Sequence, residues 1–97
     1  MKISIPHQLS QEEAQSRIRG LIAKTLEEQK NRLSGLEETW TGNTGSFSAR
    51  VQGFDLSGTV TAGPHSVDIE AKLPFALSFF EGSIRKMITE KATEILA

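Results

Sequence analysis

The sequence contains no cysteine, so a disulfide framework, a thiolate metal site and a cysteine nucleophile are all excluded. It has no tyrosine, one tryptophan and only two histidines, which leaves few groups suited to acid–base chemistry. Neither sign of charge dominates. Eleven basic against 12 acidic side chains give a net charge of −1, a poor balance for holding nucleic acid or an anionic membrane surface. No apolar run approaches the ~20 residues of a membrane span. The opening stretch, Met1 to His7, lacks the apolar core of a signal peptide, which points to the cytoplasm. What is present is the composition of an ordinary globular chain: 97 residues, 37% hydrophobic and 24% charged. That suits one domain over residues 1–97 with a modest core, and it argues against disorder or a fibrous repeat.

The hydrophobic period changes three times along the chain. Ile3 and Ile5 alternate with polar neighbours and Pro6 closes the run, which reads as a short strand. Ser10 and Glu13 then stand at capping-box spacing, where the Ser10 hydroxyl can accept from the Glu13 N–H. Ala14, Ile18, Leu21, Ile22, Leu26, Gln29 and Leu33 follow at helical spacing and predict an amphipathic helix of about 24 residues. Gly35 is suited to a left-handed cap at its end.

From Leu36 to Leu73 the period is 2. A less regular strand spans Leu36 to Thr41, and the Gly42-Asn43 turn follows it. Phe47, Ala49 and Val51 then share one face, as do Phe54, Leu56, Gly58, Val60 and Ala62 after a turn at Gln52-Gly53. Beyond the turn Gly63 to Ser66, Val67, Ile69, Ala71 and Leu73 do the same. Phe47, Val51, Leu56, Val60, Val67 and Ile69 should therefore face inward, with Ser57, Thr59 and Glu70 in water. After Pro74 the spacing returns to helical. Ser78 and Glu81 form a second capping-box pattern, and Phe80, Ile84, Met87, Ile88 and Ile95 predict a helix over 79–96. Glu81 and Arg85 stand at i, i+4 in the favourable order.

The order strand, helix, four strands, helix predicts an α+β fold, an antiparallel sheet with both helices on one face. Folds related to the TATA-binding protein and helix-grip ligand-binding domains share that order, and the analogy carries no function. Small residues on the inward face (Ala49, Gly58, Ala62 and Ala71) should let the helices pack close and leave little room for a pocket.

Catalytic chemistry is sparse. His7 and His65 lie in different loops, and neither has a His or Cys partner at metal-ligand spacing. His65 follows Pro64 in a turn and should be exposed, whereas a His7 ring nitrogen could satisfy a loop carbonyl. No Gly-x-Ser-x-Gly elbow surrounds any serine. Gly42 to Gly45 is a turn and not a phosphate cradle, because no helix follows it. The chain reads as a non-enzyme with no cofactor and no metal. Residues 36–73 carry five acidic side chains against two basic ones, Arg50 and Lys72, and their polar face offers hydroxyls instead of the aromatics and cations on which bases stack.

The aromatics are the more informative set. Trp40 lies at a strand end, and Phe75, Phe79 and Phe80 fall within six residues at the corner between sheet and last helix. Phe80 belongs to the helix stripe; Phe79 points about 100° away from it. Two readings stand: Trp40 and Phe79 close the ends of the core, or Trp40, Phe75, Phe79 and Phe80 form an exposed apolar contact surface for a ligand or partner.

Specific residues also resemble a family. Ile5-x-His7-x-Leu9 followed by Glu13-Ala14, then Trp40-x-Gly42 with Phe47 after it, Gly58 within an alternating strand, and Leu73-x-Phe75-x-Leu77 before the last helix are similar to the polyhydroxyalkanoic acid system proteins. These are small bacterial proteins linked to polyhydroxyalkanoate granule genes, and the resemblance spans nearly the whole chain. Asn43 departs from the acidic residue more usual there, so no role resting on a carboxylate at that position carries over. The resemblance implies a setting of polyester storage and assigns no catalytic residue. Two functions follow as expectations. One is a non-enzymatic accessory domain that meets a polyhydroxyalkanoate granule, its proteins or a second copy through apolar surface. The other is a small helix-grip-like carrier holding an acyl or other apolar ligand between the first helix and the sheet, which a cavity of several hundred Å3 would favour.

Overall fold

A computed structural model describes residues 1–51 and 53–97. The elements run β1 (Lys2–Pro6), α1 (Gln11–Glu28), β2 (Leu33–Thr41), β3 (Thr44–Val51), β4 (Phe54–Ala62), β5 (Ser66–Lys72), a 3-10 turn (Phe75–Phe80) and α2 (Glu81–Leu96). One antiparallel sheet has the order β1-β5-β4-β3-β2. The later strands pair in sequence, as short turns require. The pairing partner of β1, which alternation alone leaves open, is β5, with Ile3 opposite Ile69 and Ile5 opposite Val67. Of the turn expected at Gln52-Gly53, Gln52 lies outside the described residues.

The strand register is as the alternation predicts. Val60 and Val67 are buried, Phe47, Val51, Leu56 and Ile69 are half-buried, and Ser57, Thr59 and Glu70 are exposed. Both helices lie on this inward face. The core joins Ile3, Ile5, Val60 and Val67 of the sheet to Ala14 and Ile18 of α1 and Ala92 and Leu96 of α2. Arg17 ties the helices together by donating to the carbonyls of Ile95 and Ala97 at 3.0 and 3.2 Å. Arg85 donates to the Lys2 carbonyl at 2.8 Å, which ties α2 to β1.

Four expectations are corrected. The first helix ends at Glu28, capped by Gln29, not near Leu33. The run from Glu27 to Arg32 carries no apolar side chain, so nothing holds a further helical turn to the sheet. Gly35 is therefore not a helix cap. Its φ of +60° sits in a β-bulge, where the register shifts between Ser34 opposite Arg50 and Glu37 opposite Ser48, and a left-handed glycine is the usual means of accommodating the extra residue. At the second helix the Ser78 capping box does not form. The chain takes a 3-10 turn through Phe80, and no side chain caps α2. Finally, Ala49, Gly58 and Ala71 do not lie under closely packed helices. They line an open trough with Leu26, Leu36 and Leu73, because α1 stops before it can cover them.

Candidate functional site

The inward face of the sheet has a covered end and an open end, and the candidate surfaces lie at the open one. There the rows Leu33–Val51–Phe54 and Ala49–Leu56 continue the apolar face. Beyond the last turn of α1 it forms a trough of about 210 Å3, with Leu36 and Phe54 exposed. The 3-10 turn begins at Phe75, two residues after Leu73, which lines the trough.

That turn carries the phenylalanines. Phe75 is 91% exposed, Phe79 88% and Phe80 56%. Phe80 is thus not part of the buried helix stripe, because the helix starts one residue later and the ring stands at its cap. A 3-10 segment has three residues per turn, and its six residues turn these rings outward while leaving none of themselves buried. Of the two readings open for Phe79, closure of the core is excluded by its exposure. Large apolar side chains left this exposed within six residues are uncommon on a protein surface.

Trp40 does not join them. It pairs with Gly45, in the row that runs through Val60 to Ile69. It is thus three strand spacings from β5, roughly 14 Å across the sheet, and its row lies roughly 10 Å along the strands from the end of β5, three residues before the 3-10 turn begins. Its own surroundings are complete. The indole N–H donates to the Glu38 carboxylate at 2.7 Å. Phe47 meets the ring edge-on with centroids 5.8 Å apart, and the Arg19 guanidinium lies 4.8 Å over it. The ring rests so closely on Gly45 that a Cβ there would come within 2.6 Å of it. This cluster fastens α1 to β2 and β3.

His7 is buried, and its bonds account for it. Nε2 donates to the Gly63 carbonyl at 2.9 Å while Nδ1 accepts from the Leu9 N–H at 3.1 Å, which fixes the tautomer. It pins the β1–α1 connection to the β4–β5 turn, as the loop-carbonyl expectation has it. His65 is exposed. Among the described residues no three His, Cys, Asp or Glu side chains converge as a metal site would require, and no buried side-chain polar atom lacks a partner. No helix of the described residues is long and apolar enough to cross a membrane.

Sequence reasoning placed Phe54 on the apolar face of the sheet and assigned Leu36 only to a strand, and it missed the exposure of both. The signal was available in the polar run after Leu26, which limits how far the helix can shield the sheet. The two apolar hollows, about 180 Å3 between the helices and 210 Å3 in the trough, are each smaller than the several hundred Å3 of a typical ligand pocket.

With this geometry in place, comparison with known proteins identifies the family. The chain belongs to the family described as "putative polyhydroxyalkanoic acid system protein", whose profile matches residues 1–96. It matches no curated protein and no solved structure.

Proposed function

We propose that the protein is a non-enzymatic accessory protein that docks on polyhydroxyalkanoate storage granules through the phenylalanine corner of its 3-10 turn. The observation that carries this reading is the outward display of Phe75 and Phe79, both almost fully exposed. Full burial of a phenylalanine side chain contributes about 1.5–3 kcal/mol, so even partial insertion of two rings into an aliphatic polyester supplies useful adhesion. Membership of a polyhydroxyalkanoic acid system family supports the granule as the apolar body in question. Trp40 is outside the proposed surface, since its ring is already engaged by Phe47, Arg19, Glu38 and Gly45.

The test is partition of the purified protein between buffer and isolated granules, with apolar beads of the same size as the reference. The wild-type protein should favour granules over beads. The double variant Phe75→Ser/Phe79→Ser should lose at least about tenfold in granule affinity, since 1.4 kcal/mol suffices for that factor. Equal partition to granules and beads, or unchanged affinity of the variant, would overturn the reading. So would a wild-type protein that self-associates through these rings and ignores the granule.

A further inference from the structure

The two edges of the sheet are not alike. β1 is five residues long and ends at Pro6, and Arg85 already donates to its Lys2 carbonyl. Short length, a proline and an occupied carbonyl each blunt an edge against further pairing. β2 is nine residues long. Its first half carries the bulge between Ser34 and Glu37, but residues 37–41 pair regularly with β3 and include neither proline nor lysine. The direction of their hydrogen bonds follows from the two-residue turn Gly42-Asn43, which makes Thr41 and Thr44 a hydrogen-bonded pair. Bonding alternates along an antiparallel strand, so Thr39 and Thr41 face β3 while Glu38 and Trp40 direct their main-chain N–H and C=O off the edge. Among the described residues nothing takes up those groups.

We propose that β2 pairs with β2 of a second copy of the chain, antiparallel and about a two-fold axis through Thr39. Hydrogen-bond phase and charge select this register together. It sets Glu38 opposite Trp40 of the second copy and Trp40 opposite its Glu38, and both pairs can exchange N–H···O bonds because all four residues direct free groups outward. An axis through Glu38 would oppose two carboxylates, which is destabilising. An axis through Trp40 would set Glu38 against the Gly42 turn, past the end of the strand. The side chains of Glu38 and Trp40 share one face of β2. On that face the Arg19 guanidinium lies 4.8 Å over the indole and enters no ion pair among the described residues. The pairing thus brings a carboxylate of each copy to the indole over which the other copy's guanidinium lies, a complementary arrangement of charge. The interface does not depend on the granule reading, because β2 holds none of the exposed phenylalanines.

The chain has no cysteine, so single introduced cysteines report the register without interference. At the axis the two Thr39 residues form a non-hydrogen-bonded pair with Cα atoms about 4.5 Å apart, within the span a disulfide bridges. Glu37 and Thr41 are also exposed, but in this register each lies roughly 14 Å along the strands from its own counterpart. The full-length variants Thr39→Cys, Glu37→Cys and Thr41→Cys are equilibrated in a glutathione redox buffer and the covalent dimer is measured. Thr39→Cys should form at least about tenfold more of it than either of the others, because pairing raises the effective concentration of that thiol alone. The wild type should show a concentration-dependent dimer on sedimentation. Thr39→Lys, which opposes two ammonium groups at the axis, should abolish that dimer and leave the circular dichroism spectrum unchanged. The proposal is overturned if the three cysteine variants cross-link equally, or if the wild type stays monomeric at its highest soluble concentration. A dimer that Phe75→Ser/Phe79→Ser abolishes would overturn it as well.

Discussion

The two ends of one sheet face make the central contrast of this molecule. At the covered end Ile3, Ile5, Val60 and Val67 are buried beneath Ile18 and Ala92. At the open end Leu36 and Phe54 belong to the same apolar face and remain exposed. The side chains are of the same kind and the alternation is the same. What differs is the reach of the helices: α1 ends at Glu28 and α2 begins only at Glu81. Period-2 patterning tells which side of a sheet is apolar, and helix length decides how much of that side is shielded.

The sharpest way to break this contrast is a large truncation at the covered end. Ile18→Ala removes a side chain that is 1% exposed and touches both layers. It should cost about 2–5 kcal/mol, the range for buried aliphatic truncations, and could unfold much of so small a domain. Chemical denaturation monitored by circular dichroism measures it. A loss of only a few tenths of a kcal/mol would mean that the covered end is no core at all.

A smaller effect belongs at the boundary between the ends, where Trp40 fastens α1 to the sheet. Gly45→Ala places a Cβ where the indole now lies, and overpacking of this kind typically costs about 1–3 kcal/mol. The ring is the end of a side chain and can move, so the expected outcome is displacement of Trp40 with loss of its contacts to Phe47 and Arg19. Tryptophan fluorescence should shift to longer wavelength as the indole meets water. An unchanged emission maximum with unchanged stability would show that the indole does not rest on Gly45.

How much of this could be read beforehand follows the same division. The strand register was fully legible, because a one-residue slip would put Ser57, Thr59 and Glu70 into the core. The position of His7 as a loop staple was legible from its place between β1 and the Ser10 cap. The end of α1 was misread because Gln29 and Leu33 happen to fall on helical spacing, although the intervening residues are all polar. Ser78 looked like a cap because its spacing to Glu81 fits, but the chain coils into a 3-10 turn there. The grouping of Trp40 with the phenylalanines failed for a topological reason. The meander sets β2 three strands from β5, and Trp40 stands in the row of Ile69, short of the end of β5. That separation was legible from the short turns, and nearness in kind of side chain was mistaken for nearness in space.

At the open end, Leu36→Ala should cost about 1 kcal/mol, well below Ile18→Ala. The residue is 43% exposed, so truncation forfeits only part of a leucine's burial. Thermal unfolding of this variant beside Ile18→Ala reads the contrast directly. A fall comparable to that of Ile18→Ala would mean that the open end is shielded in solution by something, a second copy being the simplest agent, and sedimentation of the wild-type protein would then reveal the dimer.

The smallest effect on stability, and the largest expected on binding, falls to Phe75→Ser/Phe79→Ser. Both rings are almost wholly in water, so their removal takes away little packing. Serine is also well tolerated where the backbone turns. The midpoint should therefore stay within a few degrees, given that 1 kcal/mol corresponds to about 4–8 °C in a domain of this size. Measured on the same preparation as granule partition, this makes the two readouts separable. A stable variant that no longer binds assigns the phenylalanines to contact. A variant whose midpoint collapses assigns them to the fold, and its loss of binding would then say nothing about the surface. Only the first outcome is compatible with rings held outward by a turn that buries none of its own residues.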